Sequence, residues 1–131
     1  MSRVLIVEDE AHLAEGLAFN LEAEGHQVEI AGDGRSAVEK LADSGQPFDL
    51  VILDVMLPEM SGFELCRRLK QDKRTCDVPI IFVSALEELE DRVQGFKVGG
   101  VDFISKPVQE PEVLARVKTH LQLRNTQLHL E

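Results

Sequence analysis

Asp54 is the one charged residue in the run Val51–Pro58, VILDVMLP. A carboxylate inside an apolar strand is costly unless something pairs with it, whereas at the mouth of a strand it can do chemistry. Three other short apolar runs end in comparable residues. RVLIV (3–7) leads into Glu8-Asp9-Glu10, PIIFV (79–83) into Ser84, and VDFIS (101–105) into Lys106-Pro107. Each has an ordinary explanation taken singly: acids favour a helix N-terminus, Asp and Ser favour caps and turns, and a lysine can be a solvated charge. Together they make a set. Two carboxylates about 4 Å apart repel by roughly 4 kcal/mol at an effective dielectric near 20, so a third would call for a cation. Oxygen ligands of high charge suit a hard divalent ion such as Mg²⁺, which keeps waters and accepts one or two carboxylates with phosphate oxygens. A carboxylate beside such an ion, with a lysine and a hydroxyl nearby, is equipped to receive a phosphoryl group. Asp54 would be the nucleophile.

That chemistry requires the four runs to end on one edge, and the chain between them is built to do so. Ala14, Leu17, Ala18 and Leu21 recur at helical spacing before Gly25, a helix stop. QVEIA (27–31) alternates as a strand, and Ala37, Val38 and Leu41 mark a second helix. Ser61 with Glu64 reads as a capping box opening a helix that buries Leu65, Cys66 and Leu69. Leu89, Val93 and Phe96 mark a fourth helix; a fifth, after Pro111, buries Val113, Leu114, Val117 and Leu121. Strict alternation of strand and helix predicts a parallel sheet covered on both faces, an α/β fold. The runs at 3–7, 49–53 and 79–83 are apolar at nearly every position, as central strands should be. The sparser runs at 27–31 and 101–105 suit the edges. In such a sheet ligands bind beyond the carboxyl ends of the strands. Gly32-Asp33-Gly34, after the second strand, is turn chemistry.

Composition bounds the rest. The 131 residues, 44% hydrophobic and 29% charged, suit one soluble globular domain. A net charge of −10 argues against direct binding of nucleic acid or anionic membrane. MSRVLIVEDE carries too short an apolar stretch for a signal peptide or a span, so a cytoplasmic location is expected, with Cys66 and Cys76 as reduced thiols.

Four segments in this order resemble the receiver domain of bacterial response regulators, the CheY-like family: LIVEDE (5–10), DLVILDVMLPEMSGFEL (49–65), PIIFVSA (79–85) and GGVDFISKP (99–107). The resemblance covers essentially the whole chain. It implies a (βα)5 doubly wound, flavodoxin-like sheet in strand order 2-1-3-4-5. It implies that Asp54 is the phosphoacceptor for a sensor histidine kinase or a histidine phosphotransfer protein. Glu8 and Asp9 then hold Mg²⁺, or Mn²⁺ in its place, with Asp54 and the backbone carbonyl of Met56. Ser84 and Lys106 bond the phosphoryl oxygens, and Phe103 is the aromatic switch. The Lys106–Pro107 peptide bond is expected to be cis. Signalling, and any pairing of two copies, would use the face formed by the fourth helix, last strand and last helix. The chain is thus expected to be a signalling phosphoacceptor that promotes its own phosphorylation and dephosphorylation, not an enzyme acting on a separate substrate. Two departures are visible: Glu8 where many members carry Asp, and Ser84 where Thr is commoner.

Met56 and Leu86, each two residues beyond a site residue, are bulky and apolar, and predict a slowly hydrolysed acyl phosphate. Leu114, Leu121 and Leu128, like Leu123 and Leu130, repeat every seven residues. The receiver is therefore placed at 1–122, with 123–131 continuing the last helix toward an output domain. A phosphatase of the haloacid dehalogenase type expects a second Asp at position 56, where Met stands. A flavodoxin-like cofactor binder expects a Ser/Thr/Gly-rich loop where Glu8-Asp9-Glu10 lies. A pseudo-receiver acting only as an interaction module is disfavoured by the complete set of site residues.

Overall fold

A computed structural model describes residues 2–43, 47–85 and 88–130. Within them strand and helix alternate: β1 (Arg3–Val7), α1 (Ala11–Ala23), β2 (Gln27–Ala31), α2 (Gly34–Ala42), β3 (Leu50–Asp54), α3 (Gly62–Gln71), β4 (Ile80–Ser84), α4 (Leu89–Lys97), β5 (Asp102–Ser105) and α5 (Glu110–Leu130). The strands form one parallel sheet in the order β2-β1-β3-β4-β5, as the resemblance implies. No described helix is long and apolar enough to cross a membrane.

The period-2 alternation of side chains divides each central strand between two cores. Leu5, Val7, Val51, Leu53, Ile80 and Phe82 face the layer that holds Ala37 of α2 and Leu65, Cys66 and Leu69 of α3. Val4, Ile6, Leu50, Ile52, Ile81 and Val83 face α1 and α5, where Leu17, Leu21, Val113 and Val117 close the second core. β1, β3 and β4 are therefore apolar on both sides, whereas β2 at the edge is only partly covered.

β3 and β4 each start one residue later than the apolar runs suggest. The Asp49 amide donates to the Arg3 carbonyl and its carboxylate accepts from the Arg3 amide, so Asp49 fastens the start of β3 without being part of it. Pro79 has no N–H for a ladder, and β4 begins after it. Asp54 and Ser84 are consequently the last residues of their strands.

The spacing of Leu89, Val93 and Phe96 finds α4 correctly but not its orientation. All three are exposed, Leu89 at 74% and Phe96 at 53%, and the buried residue of α4 is Gly95. There the helix backbone lies close to an aromatic row: a Cβ on Gly95 would sit 3.1 Å from Phe82, 3.3 Å from Phe103 and 3.4 Å from Phe63. Phe63 meets Phe82 edge-on, centroids 5.2 Å apart, and Phe82 lies 6.2 Å from Phe103. Gly100 closes the same space, since a Cβ there would come within 2.5 Å of the Phe82 ring.

α5 runs unbroken past residue 122. Leu114 and Leu121 of its heptad pattern pack into the second core, while Leu123 is exposed. Arg124 donates to the Asp77 carbonyl at 2.6 Å, tying this part of the helix to the base of the sheet. The side chains of Leu128 and Leu130 lie outside the described residues.

Candidate functional site

The carboxyl ends of β1, β3, β4 and β5 bring the expected residues together. Glu8 follows β1 directly, its amide bonded to the Ala31 carbonyl, and is buried. Asp54 closes β3 and is 3% exposed. Asp9 is exposed beside them, and one carboxylate oxygen from each of Glu8, Asp9 and Asp54 lies within 4.8 Å of the others. Lys106 reaches in from the end of β5, where its amide donates to the Ser84 carbonyl at 2.8 Å. Its ammonium lies 3.0 Å from Glu8 Oε1 and 3.3 Å from Asp54 Oδ2. Asp54 Oδ1 also accepts the Met56 amide at 3.1 Å.

The ordinary explanations for Glu8, Asp9 and Lys106 do not hold on this geometry. The helix-capping role open to Glu8 and Asp9 is taken by Glu10, whose carboxylate accepts the His12 and Leu13 amides. Lys106 is no free surface charge. Asp33, by contrast, does what its turn context suggested: its carboxylate caps α2 through the Ser36 amide at 2.7 Å. Ser61 caps α3 as read, while Glu64 turns to Arg67 and Arg68.

Burial pushes the Glu8 carboxyl up to about 7, against the opposing pull of the Glu10 amide and the Lys106 ammonium; Asp54 pushes the same way as burial. Burial alone would lower the Lys106 ammonium, but the two carboxylates outweigh it and raise it above its ordinary range. One ammonium thus serves two buried acids with a third beside them. The oxygen-only donor set of Glu8, Asp9 and Asp54 fits a hard divalent cation.

Ser84, fully buried, lies one residue beyond the Asp54–Val83 pairing, on the strand next to the acids. Phe103 is 4% exposed, its ring packed inward against Phe82. The Lys106–Pro107 bond is cis. Met56 is 62% exposed at the mouth of the site, and Leu86 lies outside the described residues. Sequence reading missed two residues here, Arg92 and Ser105, which meet across Phe103. Ser105 lies within the segment GGVDFISKP, but nothing in the sequence pairs it with Arg92, which comes from a different element.

The sequence model described as the response regulator receiver domain matches residues 4–118. The chain belongs to the response regulator receiver family. It is similar to the DNA-binding dual master transcriptional regulator RpaA of Synechocystis, 41% identical over 92% of this chain and 49% of that protein. It is also similar to the phosphate regulon transcriptional regulatory protein PhoB of Rhizobium meliloti, 44% identical over 92% of this chain and 52% of that one. The chain spans about half the length of these curated relatives. Among solved structures, the CheY-like receiver domain protein from Methanospirillum hungatei superposes with a TM-score of 0.88 at 28% identity, covering 97% of this chain and 98% of that one. This receiver therefore has the fold and the family that its four segments suggest, and it is a domain of two-component response regulators.

Proposed function

We propose that this receiver accepts a phosphoryl group on Asp54 from the phosphohistidine of a sensor histidine kinase or a histidine phosphotransfer protein. The observation that carries this reading is the Lys106 ammonium set between Glu8 and Asp54 at the ends of three strands. Asp54 Oδ attacks phosphorus, an O–P bond forms, and the N–P bond breaks with its electron pair leaving on the imidazole. Lys106 pairs with the incoming phosphoryl oxygens, and Ser84 turns its hydroxyl to another of them. Glu8, Asp9, Asp54 and the backbone carbonyl of Met56 would hold Mg²⁺, or Mn²⁺ in its place. When bound, the ion neutralises charge on the transferring group. The buried position of Asp54 excludes bulk water, which strengthens these electrostatic contacts.

A phosphoryl group brings three acceptor oxygens and about −1.5 to −2 charge, which signals only by biasing a two-state element. Ser84 moving toward the phosphoryl group and Phe103 settling into the space behind it would reshape the face of α4, β5 and α5. That face, with Val93, Phe96 and Val101 exposed, is the surface we assign to output, including pairing with a second copy. We place the receiver at residues 1–122, with 123–131 leading the last helix toward an output domain of the kind the longer relatives are named for. The location is cytoplasmic, and with a net charge of −10 the domain itself contacts neither nucleic acid nor membrane.

Intact mass after incubation with acetyl phosphate and Mg²⁺ tests this. One phosphoryl adduct is expected, lost in Asp54→Asn and lost on chelation. No adduct, with beryllofluoride also leaving the protein unchanged, would overturn it in favour of an interaction module. Met56→Asn, which removes apolar cover at the mouth, is expected to shorten the lifetime of the adduct several-fold; an unchanged lifetime would mean that Met56 does not shield the acyl phosphate.

A further inference from the structure

α4 is held to the sheet by little. Its N-cap Glu88 makes no side-chain capping bond, its apolar residues point outward, and Gly95 alone among its described residues is buried. One turn before Gly95, Arg92 reaches across to β5. Its guanidinium carbon lies 5.2 Å from the centroid of the Phe103 ring, and its Nη2 donates to Ser105 Oγ at 2.5 Å. The two contacts fix different things. The cation lies over a ring that is buried and also packs near Phe82, so turning the ring outward would give up the cation–π contact. The hydroxyl contact anchors the guanidinium to the strand that carries the ring, which makes this a fixed arrangement and not a passing one.

We propose that Arg92 is a positioning residue for the switch: set over Phe103 and bonded to Ser105, it holds the ring inward and pins α4 to β5. The consequence for signalling rests on the reading of Asp54 as phosphoacceptor. If phosphorylation favours the inward ring, Arg92 favours the same state, and by reciprocity it strengthens binding of a phosphoryl group or its mimic. Arg92 therefore sets how far the switch face is poised before any phosphoryl group arrives. Lysine at this position would keep a charge near the ring but lose the planar guanidinium and its bond to Ser105.

The test follows the ring directly. Biosynthetic 4-fluorophenylalanine labels the six phenylalanines, and Phe103→Leu assigns the Phe103 fluorine resonance. Its relaxation by a soluble gadolinium chelate reports exposure. In Arg92→Gln that relaxation is expected to rise several-fold, with Arg92→Lys in between. Beryllofluoride with Mg²⁺ is expected to bind Arg92→Gln about fivefold more weakly than the parent. Ser105→Ala leaves the sequence of α4 intact and is expected to expose the ring about twofold, which decides the matter should Arg92→Gln disturb the helix. A Phe103 resonance equally shielded in parent, Arg92→Gln and Ser105→Ala would overturn the proposal. Failure of the parent to bind beryllofluoride would instead overturn the phosphoacceptor reading, and the ring measurement would still decide the latch.

Discussion

α3 and α4 are neighbouring helices of nearly equal length, and the sequence marks both by apolar residues at helical spacing. They are used in opposite ways. α3 buries Leu65, Cys66 and Leu69, is capped by the Ser61 hydroxyl at 3.2 Å, and follows a loop clamped by the Gly62 amide on the Val55 carbonyl. Gly62 itself fits so tightly that a Cβ would lie 2.2 Å from the Asp54 carbonyl oxygen. α4 turns its apolar residues to solvent and keeps a glycine and an arginine against the core. One helix holds the loop after Asp54 still. The other is fastened by few contacts, which places it at the low-stability end of the fold.

The sharpest way to break this contrast is to remove equal amounts of side chain from each helix. Leu65→Ala, which empties a fully buried site, should cost about 2–5 kcal/mol in chemical denaturation. Leu89→Ala should stay within about 0.5 kcal/mol. Comparable losses would mean that α4 is anchored through its outer face after all. A finer comparison uses the caps. Ser61→Ala removes a bond to the Glu64 amide and should cost about 1 kcal/mol, whereas Glu88→Ala, which removes no capping bond, should change stability by a few tenths. Equal effects at the two caps would show that the start of α4 is better held than its contacts indicate.

The same pair of helices shows what could be read from sequence. Asp54, Glu8 and Lys106 were legible as a set, because each follows or ends an apolar run and the alternation of strand and helix placed those ends on one edge. Strand order beyond central and edge came only with the family resemblance. The outward face of α4 was not legible, because spacing records the period of a helix and is silent about which side meets the core. Gly95 gives no hydrophobic signal at all, yet it is where the backbone of α4 approaches three rings. Arg92 and Ser105 are 13 residues apart on different elements, and nothing local marks one as the partner of the other. The heptads of α5 divide at the domain edge: Leu121 is buried in the second core and Leu114 packs against it, as their helical spacing indicated, while Leu123 is exposed.

Phe82 and Gly100 bind one another's evolutionary futures. A methyl group at position 100 would meet the Phe82 ring at 2.5 Å, while a smaller residue at 82 would leave a void between Phe63 and Phe103. Either change is harmful in the background of the other's present residue, so one steric contact couples the two positions. Shrinking residue 82 would not by itself free position 100, because a Cβ there would also lie 3.0 Å from the Gly95 carbonyl oxygen, so the pair is held in place by the backbone of α4 as well as by the ring.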